Sequence, residues 1–132
     1  MGVTYLLDTH VLLWLLGDPE KISSAVRGRL AQPANTLLVS AASALEVATK
    51  VRLGKLPAGA ALVEAWSARL NAIGCEELPI TPAHALFAGS MDWAHRDPFD
   101  RILVAQTVLD TVTLVTTDDP IRILPAVPTL SW

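Results

Sequence analysis

The sequence predicts an α/β domain built around a central, mostly parallel sheet of short strands. Two patterns carry that expectation. Short apolar runs of strand length alternate with longer stretches of helical spacing, and Gly, Pro and Asp mark the joints between them. Composition agrees: 52% of the 132 residues are apolar and 17% charged, richer than an ordinary globular mix and enough to bury a real core, partly against another chain. No internal repeat, low-complexity tract or linker interrupts the chain, so residues 1–132 are expected to form a single domain.

Taken in order, "VTYLL" (3–7) reads as a strand and "HVLLWLL" (10–16) as a helix, closed by Gly17-Asp18-Pro19 ahead of a second helix near 20–31. "TLLVS" (36–40) is a second strand. A helix from Ala42 to Leu53 follows and stops at Gly54, as glycine at a helix end should. A further helix is expected over Ala60–Ile73, then a third strand at "EELPI" (76–80). Thr81-Pro82 opens a helix ending near Ala94, and Asp97 and Asp100 stand at the start of the next one. "TLVT" (113–116) is the fourth strand and "TLSW" an edge strand. Short strands separated by helices join through right-handed crossovers into a parallel sheet.

Several function classes fall away on composition. No apolar run reaches the roughly 18 residues a membrane span needs, since Asp8 and His10 break the longest. No basic leader followed by an apolar stretch is visible, so the expectation is a cytoplasmic protein with no membrane association. Cys75 stands alone, which rules out a disulfide framework or a cysteine zinc site and leaves it the role of a small buried hydrophobe. His10, His84 and His95 lie in separate segments without metal-binding spacing. Ser40 and Ser43 lack a nucleophile-elbow setting, and no glycine-rich phosphate loop occurs. Trp14, Trp66, Trp93 and Trp132 read as core or interface anchors. The net charge of −3 gives no general attraction to nucleic acid, so any polyanion must be held locally, by a metal or a small basic patch.

The acids are the informative residues, because in a parallel sheet the strand C-termini line one edge, where ligand sites form. Asp8 ends the first strand, Glu46 lies one helical turn past the second, Asp97 and Asp100 open the helix that feeds the fourth, and Asp118 and Asp119 follow the fourth. Carboxylates far apart in sequence yet converging on one edge are what Mg²⁺ or Mn²⁺ requires: oxygen donors, few of them, with room for water and phosphate. Each acid also has a plainer explanation. Asp8 suits an N-cap, Glu46 and Lys50 are spaced for an i,i+4 ion pair, Asp97 before Pro98 is a standard helix opening, and Asp118-Asp119-Pro120 suits an acidic turn. Their joint placement is what favours a ligand site. "KVRLGK" (50–55) and His95-Arg96 are the basic residues nearest that edge, with Lys50 and Arg96 the candidates to hold a substrate phosphate.

At the level of motifs the chain resembles the PIN-domain ribonucleases, in particular the VapC-type toxins of prokaryotic toxin–antitoxin pairs. "LLDTHVLLW", "SALEVATKVRLGKL", "LPITPAHA", "HRDPFDRILVAQT" and "LVTTDDPI" occur in family order and at family spacing. The resemblance implies a three-layer α/β/α sandwich and a metal-binding, catalytic quartet of Asp8, Glu46, Asp100 and Asp118. It implies Thr9 and Thr117 as polar supports; Asp97, better read as the helix cap, is an additional candidate, since family members without the "DPF" insert keep only the acid that aligns with Asp100. It also implies a homodimer, and an antitoxin whose extended segment blocks the acidic edge.

The chemistry that fits both routes is hydrolysis of an RNA phosphodiester assisted by Mg²⁺ or Mn²⁺, with no covalent nucleophile. Like charges about 4 Å apart repel by roughly 4 kcal/mol at an effective dielectric near 20, so four clustered acids call for a cation. Two other classes compete. A receiver-type signalling domain also gathers acids and Mg²⁺ at a sheet edge, but it needs an acidic pair after the first strand and a late lysine. Here one Asp ends that strand and no lysine follows Lys55. A catalytically silent PIN-like module that only binds a partner is the other alternative.

Overall fold

The computed structural model describes residues 2–132. Five strands, β1 (Thr4–Leu7), β2 (Thr36–Ser40), β3 (Cys75–Leu78), β4 (Thr113–Val115) and β5 (Thr129–Leu130), form one sheet in the order β3-β2-β1-β4-β5, with every described pairing parallel. Eight α-helices connect and cover it: α1 (Thr9–Gly17), α2 (Ser24–Ala31), α3 (Ala41–Arg52), α4 (Ala60–Glu64), α5 (Trp66–Ala72), α6 (Pro82–Ser90), α7 (Pro98–Leu109) and α8 (Asp119–Arg122).

Strand alternation creates the two cores. Tyr5 and Leu7 point to one face, where they meet Val11 and Leu12 of α1, Val26 and Leu30 of α2 and Leu70 of α5. Leu6 points to the other and packs with Leu103 and Val104 of α7, Leu114 and Ile121. A central parallel strand covered on both faces must be apolar at every position, which is why "YLL" reads as a continuous run. Cys75 lies in the first core, where burial pushes its thiol up to about 11, in keeping with a small hydrophobe.

The strand order decides where a ligand site can form. The chain winds outward from β1 through β2 to β3, then returns to the other side of β1 for β4 and β5. The carboxyl ends of β1 and β4 therefore flank the point where winding reverses, the place where open α/β sheets leave a crevice. Asp8 follows β1 directly, and its N–H donates to Val115 O at 3.0 Å, which ties the two strand ends together.

Local departures from the sequence expectation have physical reasons. The helix expected from residue 20 begins at Ser24, because Ser23 accepts the Val26 N–H as its cap and Pro19–Lys21 forms a separate 3₁₀ turn. The single helix expected over Ala60–Ile73 is two, broken at Ala65 (φ −129°): α4 packs on α3, whereas α5 packs on β3, so each half serves a different partner. The helix expected to reach Ala94 ends at Ser90. Gly54 and Gly74, at φ +73° and +75°, close α3 and α5 with the left-handed residue that glycine supplies at least cost. In "TLSW" only Thr129 and Leu130 pair, parallel to β4.

Candidate active site

Asp8 is the N-cap of α1, with Thr9 N–H donating to its Oδ1 at 2.7 Å. Capping does not exhaust its contacts. Thr116 Oγ1 donates to Oδ2 at 2.6 Å, and His10 Nδ1 lies 3.4 Å from the same oxygen. The residue is 4% exposed, and burial raises its pKa above the ordinary carboxylate value. His10, Thr116 and Thr9 oppose that rise, and the charge of Glu46 adds to it. Thr9 is buried and its hydroxyl meets Ser43 Oγ at 2.9 Å, pinning α1 to α3 one turn before Glu46. Glu46 pairs with Lys50 at 2.9 Å, as i,i+4 spacing allows, but the two side chains differ in exposure: 14% for the acid and 45% for the lysine.

Thr116, the first residue past β4, joins two of the acids. Its buried Oγ1 donates to Asp8 and accepts the Asp118 N–H at 3.0 Å. Thr117, expected as the polar support, instead meets His10 Nε2 at 3.0 Å, so the support to Asp8 comes from its neighbour. Period-two alternation at a strand end turns one of two adjacent threonines inward, and the sequence alone does not say which. Thr116→Val keeps the β-branched shape and removes both bonds. The expected result is a loss of about 2 kcal/mol, from leaving a buried N–H and a carboxylate oxygen unpartnered. Denaturant unfolding of both proteins measures it, and an unchanged midpoint would show that water replaces the hydroxyl.

The third part of the edge is the turn before α7. Asp97 caps the helix, its Oδ1 accepting from Phe99 N–H at 2.9 Å and from Asp100 N–H at 3.3 Å. Asp100 Oδ2 lies 2.6 Å from His95 Nε2. Arg101 fixes this turn: its guanidinium donates to the carbonyl oxygens of Ala88, Met91, Trp93 and His95 at 2.6–2.9 Å. One of those bonds, to Ala88, satisfies a carbonyl in the last turn of α6, and the other three hold the segment beyond it. Asp100 is pushed up to about 7, chiefly by burial, with the His95 hydrogen bond opposing and the charges of Asp97, Asp8 and Asp118 adding. Acids from three separate segments thus act on one carboxyl.

The sequence profile of the PIN domain matches residues 5–126, nearly the whole chain. The chain belongs to the PIN domain family. The fold agrees with solved structures at low identity. VapBC2 from Rickettsia felis bound to a DNA fragment from their promoter is 16% identical with a TM-score of 0.71, covering 98% of this chain and 99% of that one. VapBC-1 from nontypeable Haemophilus influenzae is 17% identical with a TM-score of 0.64, covering 98% of each chain. PAE2754 from Pyrobaculum aerophilum is 18% identical at 0.51, covering 98% of this chain and 92% of that one. Comparison with curated protein sequences gives no match.

Membership sets aside the receiver-type alternative. Within this PIN domain, Asp8, Glu46, Asp97, Asp100 and Asp118 sense one another's charge along the carboxyl edge, directly or through a shared neighbour. Carboxylate oxygens are the donors a hard divalent cation takes, and Asp100 among them is pushed up to about 7, chiefly by burial. Among the described residues only His95, Asp97 and Asp100 bring three potential ligand atoms within 4.8 Å of one another, so Asp8 and Asp118 act on that turn, and Glu46 on Asp8, through charge rather than close approach. Lys50 is engaged by Glu46, whereas Arg96 is exposed, which makes Arg96 the more available of the two proposed phosphate contacts. From sequence, His10 and His95 are set aside as metal ligands, His95 counts with Arg96 only as a basic residue near the edge, and Thr116 is not singled out. No regular spacing marks them, since each reaches its acid through a turn or strand end. No helix among the described residues is long and apolar enough to cross a membrane.

Proposed function

We propose that this chain is a divalent-cation-dependent ribonuclease, the toxin of a VapC-type pair, silenced by an antitoxin that covers the acidic edge. The observation that supports the reading is the gathering of acids where the sheet's winding reverses: Thr116 joins Asp8 to Asp118 there, and the charges of Asp8, Asp97 and Asp118 reach Asp100 at the start of α7. A fold that stabilised only itself would neutralise or disperse these acids. Asp8, Glu46, Asp100 and Asp118 are the residues that would hold Mg²⁺ or Mn²⁺, with Asp97 beside them. Held by these residues, such a cation would supply a lowered pKa for attacking water and a counter-charge for the phosphate.

The chain's own contribution is rigidity. Thr116 and the Thr9 N–H fix both oxygens of Asp8 before any ligand arrives, and the Thr9–Ser43 bond fixes α3 and hence Glu46. Arg96, exposed beside the acidic turn, is the residue we assign to the RNA phosphate, with Lys50 as a second contact. The match to structures described as VapBC supports an antitoxin partner, and a homodimer goes with that reading. So do exposed apolar side chains such as Leu86 (71%) and Ile123 (77%), which association would cover. Cellular RNA as substrate places the action in the cytoplasm.

The test is cleavage of RNA by the purified protein. Wild type is expected to cut RNA with Mn²⁺ or Mg²⁺ and to stop with chelator, while Asp118→Asn, whose carboxylate makes no cap bond, folds and does not cut. Co-expression of the partner encoded beside it should suppress both cleavage and growth arrest. Wild type that binds its partner yet leaves every RNA intact would make this a silent binding module.

A further inference from the structure

The geometry points to His95 as a nitrogen ligand of the cation centre, completing with Asp97 and Asp100 a position that prefers a transition-metal ion such as Mn²⁺ over Mg²⁺. This rests on the cation-dependent reading above and goes beyond it, because that reading uses oxygen donors alone. Potential ligand atoms of His95, Asp97 and Asp100 all lie within 4.8 Å of one another. Donors on one octahedral ion at about 2.1 Å are about 3 Å apart when adjacent and about 4.2 Å apart when opposite, so a trio within 4.8 Å needs only a small side-chain adjustment to ligate one ion.

Each member has an atom to offer. Asp97 spends Oδ1 on both cap bonds, which leaves Oδ2. Asp100 Oδ2 and His95 Nε2 face each other 2.6 Å apart, close enough for both to ligate one cation. The histidine is held for this contact. Arg101 grips the His95 carbonyl at 2.9 Å and that of Trp93 at 2.9 Å, and the Trp93 ring lies against the imidazole with centroids 4.8 Å apart. Arg101 grips main-chain oxygens only, so among the described residues the imidazole itself is used by the Trp93 ring and by Asp100 alone. The consequence for selectivity follows from donor chemistry. Mg²⁺ keeps oxygen ligands and sheds water reluctantly, whereas first-row transition ions accept imidazole.

The test compares cation binding by metal-free wild type and His95→Gln, followed by calorimetry with Mn²⁺ and with Mg²⁺, and by pulsed EPR of the bound Mn²⁺. The expected result is an Mn²⁺ affinity at least about tenfold lower in the variant, with Mg²⁺ affinity changed far less. Nitrogen hyperfine coupling should be present in the wild-type spectrum and absent in the variant. Equal loss for both cations would make His95 only a positioning residue for Asp100. A wild-type spectrum without nitrogen coupling, or coupling that persists in His95→Gln, would also overturn the assignment. The wild-type spectrum decides the matter even if the variant fails to fold. If wild type binds neither cation, the cation-dependent reading itself falls and this inference with it.

Discussion

Asp100→Asn is expected to abolish RNA cleavage, by about a thousandfold, and at the same time to make the metal-free protein more stable at pH 8. The two effects have one cause. Asp100 sits at about 7 rather than the ordinary 3.8, so in the folded, metal-free protein its ionised form is held against burial and against Asp97, Asp8 and Asp118. A group whose folded pKa is raised favours the folded state below the unfolded value, and that advantage is lost as pH rises through the folded one. Wild-type stability without metal should therefore fall between about pH 4 and pH 7. The full shift corresponds to a ceiling of about 4 kcal/mol, and solvent screening of this partly exposed site reduces it to about 2 kcal/mol. Asparagine carries no charge, so the variant should show a flatter profile over that range while losing the transition-state stabilisation worth about two to three orders of magnitude. Urea unfolding at several pH values, with chelator, measures the first effect, and an RNA cleavage assay the second. A variant as pH-sensitive as wild type would mean that another group carries the repulsion.

What the sequence revealed of this arrangement, and what it concealed, divides along physical lines. β1 and β2 were legible because a strand covered on both faces must be apolar along its middle, and "YLL" and the "LLV" of "TLLVS" are. Asp8 was legible as an exception to that rule, a buried carboxylate where packing alone would place none. The break at Ala65 was not, because no Gly or Pro marks it and the cause lies in two different packing partners. The contact of His95 with Asp100 was hidden for a similar reason. Five residues separate it from Asp100, a spacing that means nothing on a helix or strand, and the turn that closes the gap is built by Arg101 gripping carbonyl oxygens, which have no sequence signature. Strand order, and with it the winding reversal beside β1, is a property of tertiary packing that local periodicity does not encode. The motif resemblance pointed to the correct family because it drew on order and spacing across the whole chain, where each single acid had an adequate local explanation.

Asp8 separates capping from ligation most sharply. In the metal-free protein Asp8→Asn keeps the shape, keeps an oxygen for the Thr9 N–H, and presents an amide to Thr116 Oγ1, which has a lone pair to accept it. It also removes a buried carboxylate whose pKa is raised by desolvation and by Glu46. The metal-free variant should therefore be no less stable than metal-free wild type at neutral pH. Cation binding reverses the comparison. A ligand that binds only the folded state at a hundredfold excess over its Kd adds about 2.7 kcal/mol, which for a domain of this size is a rise in melting temperature of about 10 °C. Wild type should show that rise with Mn²⁺, and Asp8→Asn should lose most of it. If Asp8 served only as the cap of α1, the amide would fill the same role and the metal response would be undiminished. Paired thermal melts with chelator and with saturating Mn²⁺ distinguish these outcomes, because the capping bond is common to both proteins and only the charge differs.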